Sequence, residues 1–150
     1  MSNGRPVEVL VVEDNPEDLE LLLRALKKAN IGNRIEIARD GAEALEFIFC
    51  EGVHHERQIE DAPRVILLDL KLPKVDGLEV LQRIRDDPRT KAIPVVVLTS
   101  SKEQRDLVES YRLGANSYVV KPVSFEQFAN AVQQLGLYWL LLNEAPSAEK

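Results

Sequence analysis

The sequence predicts an α/β fold, a doubly wound parallel sheet of five strands with helices on both faces. Three observations carry this. Short apolar runs alternate with longer segments of helical period, in the order βαβαβαβαβα. Two of the runs, 65–68 and 94–98, are β-rich and apolar throughout, the pattern of strands buried on both faces. The chain has 150 residues, 45% of them apolar and 29% charged, which suits one globular domain. Strict alternation then implies right-handed crossovers between parallel strands.

The elements follow in order. The first strand is predicted over 7–12. A helix follows over 16–29, with Leu19, Leu22, Leu23 and Leu26 on one face. Pro16 suits its first turn, where a missing N–H costs nothing, and Asp14 or Asn15 is placed to cap it. Residues 34–38 alternate like a strand, and Asp40-Gly41 opens a second helix through Phe49. After the strand 65–68, residues 77–85 carry Val80, Leu81 and Ile84 on a helix closed by Asp87-Pro88. The strand 94–98 leads to a helix over 102–113, which Gly114 ends as a C-cap. A fifth strand is predicted over 117–120 and a final long helix over 124–142. Residues 50–63 form a charged stretch of 14 residues, longer than the usual connection, and read as a functional loop or an extended helix end.

Composition narrows the function. A net charge of −6 disfavours nucleic-acid binding, which needs a basic face. No apolar run approaches the ~20 residues that span a bilayer, and the first twelve residues do not form a signal peptide. A lone cysteine, Cys50, cannot form an internal disulfide. The expectation is a cytoplasmic protein that binds neither nucleic acid nor membrane.

In an open parallel sheet the site lies outside the carboxyl ends of the strands. Here the apolar runs stop at Glu13-Asp14, Asp69, Thr99-Ser100 and Lys121-Pro122. For any one of these, a strand stop or a helix cap is as good a reading as a functional role. Together, five required residue types would meet by chance on the order of once in 10⁴ chains, given average composition. Clustered carboxylates repel, so their charged forms need a cation, and hard oxygen ligands with open water positions suit Mg²⁺. A carboxylate beside Mg²⁺ is a nucleophile towards phosphorus, while a lysine and a hydroxyl bind the transferred oxygens. The site thus suits phosphoryl groups and lacks a histidine base. His54 and His55 sit in the charged stretch and read as exposed loop residues.

The segments Val11-Val12-Glu13-Asp14-Asn15, Leu67-Leu68-Asp69-Leu70-Lys71-Leu72-Pro73 with Asp76-Gly77, Leu98-Thr99-Ser100-Ser101 and Tyr118-Val119-Val120-Lys121-Pro122 resemble the receiver domain of two-component response regulators. The likeness runs over 7–142. It implies the flavodoxin-like receiver fold with strand order 2-1-3-4-5. It also implies Asp69 as phosphoacceptor and Mg²⁺ held by Asp14, Asp69 and the Lys71 backbone carbonyl, with Glu13 as outer ligand through water. Thr99 and Lys121 would contact the phosphoryl group, Tyr118 would be the aromatic switch, and Lys121-Pro122 a cis peptide. The insertion 50–63, the Leu-Pro-Lys-Val-Asp-Gly turn and the closing Tyr138-Trp139-Leu140-Leu141-Leu142-Asn143 resemble the stand-alone regulators paired with bacterial phytochromes. The chain departs from the commonest pattern at Glu13, where Asp is frequent.

On this likeness the receiver domain covers 1–143, residues 144–150 are a polar tail, and no output domain follows. The implied partner is a sensor histidine kinase, with a phytochrome the class to which the finer likeness points. The implied role is a phosphoacceptor that signals through a changed surface of the fourth helix, fifth strand and last helix, and not an enzyme. A haloacid-dehalogenase-like phosphatase is the enzymatic rival, but it needs an acid where Lys71 stands. A flavodoxin-type nucleotide site would need a Gly/Ser/Thr-rich loop in place of Glu13-Asp14-Asn15-Pro16. A pseudo-receiver would lose the acids or the lysine, which this chain keeps. In the final helix Phe125, Phe128, Ala129, Val132, Leu135 and Trp139 fall on one stripe, while Leu137, Tyr138 and Leu141 fall off it. That surplus apolar face predicts a two-fold homodimer through the C-terminal helix region.

Overall fold

The computed structural model describes residues 9–28, 34–100, 104–121 and 123–134. Ten regular elements alternate: β1 (Val9–Val12), α1 (Pro16–Lys28), β2 (Ile35–Ala38), α2 (Gly41–Ile48), β3 (Val65–Asp69), α3 (Gly77–Asp86), β4 (Val95–Thr99), α4 (Gln104–Arg112), β5 (Ser117–Val120) and α5 (Phe125–Gln134). All strand pairings are parallel, in the order β2-β1-β3-β4-β5, as expected. Among the described residues no helix is long and apolar enough to cross a membrane.

Alternation along the strands sorts side chains between two cores, because successive residues point to opposite faces. Leu10, Val12, Ile66, Leu68, Val95 and Val97 pack under α2 and α3. Val9, Val11, Val65, Leu67, Val96, Leu98 and Val119 pack under α1 and α5. Burying each such side chain contributes about 1.5–3 kcal/mol. On α5, Phe128 and Ala131 are buried and Phe125 is partly so. The expected positions beyond Gln134, including Leu137, Tyr138 and Leu141, lie outside the described residues, as does Pro122 with its expected cis bond.

Two boundaries differ instructively from the hydropathy pattern. β3 and β4 each run one residue further than their apolar runs, to Asp69 and Thr99. Hydropathy marks where apolar side chains stop, whereas the backbone ladder continues for one more rung, pairing Asp69 with Leu98 and Thr99 with Val120. The polar residues of interest therefore sit on the sheet itself.

The stretch 50–63 is a loop and not an extended helix. Cys50 takes a left-handed conformation (φ 58°) that ends α2, and a single 3₁₀ turn follows at Gly52–His54. Arg57 then folds the loop back: its guanidinium lies 3.7 Å over the Phe47 ring and donates to the Phe47 carbonyl, to Cys50 Sγ (3.2 Å) and to the Asp61 carbonyl (3.0 Å). His55 is exposed, but His54 is half-buried, edge-on to Phe47 at 4.9 Å. The sequence reads both as exposed, because nothing in the spacing of His54 and Phe47 signals their contact.

The opposite end of α3 is held by one side chain. Arg85 donates to the carbonyls of Gly114 (2.9 Å), Lys91 (3.0 Å) and Ile93 (2.6 Å) and to Asn116 Oδ1 (2.8 Å). The Asn116 amide oxygen also accepts the Val95 N–H at 2.8 Å, at the start of β4. Gly114, at φ 103°, ends α4 as expected and brings its carbonyl within reach. Arg85→Met should cost about 2–3 kcal/mol by leaving these acceptors unpaired. Arg85→Lys should recover little of it, because a point ammonium cannot reach a fan of four acceptors. Urea unfolding of the three proteins measures both.

Candidate functional site

The site forms where β1, β3, β4 and β5 end, and strand parity decides which side chains meet. Glu13 and Asp69 continue the series 9, 11 and 65, 67, and Lys121 continues 117, 119, so all three lean towards the α1/α5 face. Thr99 continues 95, 97 and shares the opposite face with Tyr118. Of the five residues read from the sequence as one set, Glu13, Asp69 and Lys121 thus lean to one side of the sheet edge and Thr99 to the other.

The first subset is an acidic pocket. Glu13 and Asp69 are buried, only 2% and 4% exposed, and Asp14 beside them is exposed. One carboxylate oxygen from each of Glu13, Asp14 and Asp69 lies within 4.8 Å of the others. Lys121 reaches in from the end of β5, its backbone N–H fixed on the Thr99 carbonyl at 2.8 Å. Its ammonium donates to Glu13 Oε1 (2.9 Å), Asp18 Oδ2 (2.9 Å) and Asp69 Oδ2 (3.2 Å). The other Glu13 oxygen accepts the Asn15 N–H at 3.1 Å. Asn15 in turn caps α1, its Oδ1 accepting from Glu17 and Asp18 at 2.9 Å. The donor set is wholly oxygen and anionic, which fits a hard divalent cation such as Mg²⁺.

The loop after β3 is shaped to hold Asp69. The Lys71 N–H donates to Asp69 Oδ1 at 3.3 Å, and the Lys71 side chain is exposed. Gly77 presses the first turn of α3 against the strand: its N–H meets the Leu70 carbonyl at 2.9 Å. A Cβ there would stand 2.3 Å from the Asp69 carbonyl oxygen, so only glycine fits. Between them Lys74 adopts φ 70° in a tight turn closed by Val75 N–H on the Pro73 carbonyl (2.8 Å), conformationally costly for a non-glycine residue. The turn is tied to α2, whose Gly41 N–H also bonds the Pro73 carbonyl (3.2 Å), while Lys74 pairs with Asp40 at 3.6 Å.

The second subset lies on the α2/α3 side. Thr99 is fully buried, and Tyr118 is partly buried against the core of α2 and α3. Tyr118 stands opposite Val97 in the ladder, so it is a diagonal neighbour of Thr99 on one face.

Asp18 is the residue the sequence reading missed. An acid in the first turn of a helix is expected from the helix dipole alone. Nothing in its spacing announces that it meets a lysine 103 residues away.

Burial pushes the Glu13 carboxyl up from 4.5 to about 7; the Lys121 hydrogen bond opposes the rise and the Asp69 charge adds to it. Burial draws the Lys121 ammonium down, but its hydrogen bonds to Asp18 and Glu13 and the charge of Asp69 outweigh this and hold it above the usual lysine range. The folded Glu13 binds its proton more tightly than the unfolded one. Its contribution to stability is therefore full below about pH 4.5 and lost as pH rises to about 7. In metal-free buffer, the unfolding free energy of wild type relative to Glu13→Gln should fall by about 3 kcal/mol over that window. Urea titrations at stepped pH read this directly, and a flat difference would remove Glu13 from the titration.

Comparison with known proteins agrees with this fold. The model of the response regulator receiver domain matches residues 9–133. The chain is 44% identical to the probable methanogenesis regulatory protein FilR2 of Methanothrix harundinacea, over 94% of this chain and 88% of that one. It is 39% identical to response regulator Rcp1 of Synechocystis over 95% of each chain, and the Mn²⁺-bound form of Rcp1 superimposes with a TM-score of 0.74. The bacteriophytochrome response regulator RtBRR is 52% identical, covers 94% of this chain with 84% of its own, and has a TM-score of 0.84. A parallel sheet in the order 2-1-3-4-5, an acidic pocket at its carboxyl edge and a match over this length place the chain in the response regulator receiver domain family.

Proposed function

We propose that Asp69 accepts a phosphoryl group from a sensor histidine kinase and that the protein signals through the surface of α4, β5 and α5. The observation that carries this is the buried Asp69 on the last rung of β3, sharing Lys121 with Glu13 and lying within 4.8 Å of Asp14. An Asp69 oxygen attacks the phosphorus of a phosphohistidine; the P–N bond breaks, the imidazole leaves with the electron pair, and an acyl phosphate results. When bound, Mg²⁺ would offset charge on the phosphoryl oxygens, held by Asp14, Asp69 and the Lys71 carbonyl with Glu13 acting through water. The Mn²⁺-bound form of Rcp1 supports a divalent cation here.

This chain's own groups do the rest. Lys121 binds a phosphoryl oxygen, and the Thr99 hydroxyl is drawn to another. Tyr118, on the same face as Thr99, turns into the space Thr99 leaves and alters the neighbouring surface of α4 and β5. The likeness to RtBRR and Rcp1 favours a phytochrome-type kinase as the donor. The role is that of a signalling protein in the cytoplasm, with 1–143 as the receiver and 144–150 as a tail. A homodimer through the C-terminal helix region is part of this reading, from Leu137, Tyr138 and Leu141.

With Mg²⁺ and a small phosphodonor such as acetyl phosphate, the protein should gain one hydroxylamine-labile phosphoryl group. Asp69→Asn, or EDTA in place of Mg²⁺, should abolish it. Undiminished labelling of Asp69→Asn would sink the assignment, and an unlabelled wild type would favour the pseudo-receiver.

Lys121→Ala separates metal from phosphoryl binding. An ammonium cannot ligate a cation, so the variant should bind Mg²⁺ as well as wild type or better, since a nearby positive charge is gone. It should be labelled at Asp69 yet fail to show the conformational response. A Mg²⁺ titration followed by NMR reads the first part; a large loss of affinity would contradict the geometry.

A further inference from the structure

An ammonium has three N–H donors, and carboxylates take all three of those on Lys121: Glu13, Asp18 and Asp69. A phosphoryl oxygen bound by this lysine must displace one of them or share with it. The three acceptors are unequal. The Glu13 side chain is 2% exposed, and losing its partner would strand a buried carboxylate. Asp69 is the reacting group and gives up its own charge on forming the acyl phosphate. Asp18, on the first turn of α1, has a side chain 34% exposed, so water can replace the ammonium there. A cavity of about 10 Å³ borders Glu13, Asp18, Leu22, Leu98 and Lys121, roughly the room for one such water. Asp18 is not one of the three carboxylates placed to share a cation.

Resting on the reading of Asp69 as phosphoacceptor, we propose that Asp18 is a positioning residue that competes with the phosphoryl group for Lys121. It holds the ammonium towards α1 while Asp69 is free and yields it, to solvent, when the phosphoryl group arrives. Asp18 thereby weakens the phosphorylated state by the strength of one half-exposed ion pair.

The probe is beryllofluoride with saturating Mg²⁺, which mimics a phosphoryl group on a carboxylate without transfer chemistry; half-saturation is followed by ¹⁹F NMR. Asp18→Asn keeps the shape and removes the charge, and should bind the probe about 2- to 5-fold more tightly than wild type. Asp18→Ser, also suited to the first turn of a helix, should do the same and guards against an Asn-specific folding defect. Asp18→Glu should return towards wild-type binding. In a Lys121→Ala background Asp18→Asn should change nothing, which separates competition for Lys121 from long-range repulsion of the anion. Equal or weaker binding by both the Asn and Ser variants, or the same gain without Lys121, would overturn the role of Asp18. A wild type that does not bind the probe at all would overturn the assignment of Asp69 itself.

Discussion

A parallel strand buried on both faces has no room for charge along its length, so the polar groups of the central strands are driven to their ends. That constraint organises this protein. The central strands β1, β3 and β4 are apolar and fully buried until their final rungs or the residue just beyond. There Glu13, Asp69 and Thr99 emerge side by side, because the register pairs Val12 with Leu68 and Asp69 with Leu98. Helices above and below then shield the cluster from most of the solvent without neutralising it.

What neutralises it is a lysine from the next strand along. Isolated buried carboxylates are prohibitively expensive, and two close together are worse. Lys121 offsets this by bonding Glu13 and Asp69 at once, at a position only 11% exposed. Negative charge remains in excess: burial pushes the Glu13 carboxyl up, while the surrounding carboxylates hold the Lys121 ammonium above the usual lysine range. A pocket in that condition favours anything that brings positive charge or disperses negative charge, which is the chemistry of a divalent cation and a phosphoryl acceptor.

The rest of the molecule keeps that pocket in place. Gly77 lets α3 begin against the backbone of Asp69, and the turn at Lys74 is held by α2 through Gly41 and Asp40. At the far end, Arg85 ties α3 to the segments that lead into β4 and β5. The loop 50–63 folds onto α2 through Arg57 and Phe47, at the end of the sheet away from the site.

Much of this was written in the sequence. The order of elements, the parallel sheet and the location of Glu13, Asp14, Asp69, Thr99 and Lys121 at strand ends all follow from periodicity and from where apolar runs stop, which are local properties of the chain. Within the described residues the strand boundaries were legible to within a residue, and β3 and β4 overrun their apolar runs because backbone pairing outlasts hydropathy at Asp69 and Thr99. Tertiary structure alone decided how those residues divide. Parity at the strand ends sends Glu13, Asp69 and Lys121 to one side and Thr99 with Tyr118 to the other, and parity means nothing until the strands are in register. It also decided that Asp18 joins Lys121 and that His54 packs on Phe47. Such contacts join residues whose spacing carries no signal, since they depend on the packing angle of a helix or the path of a loop.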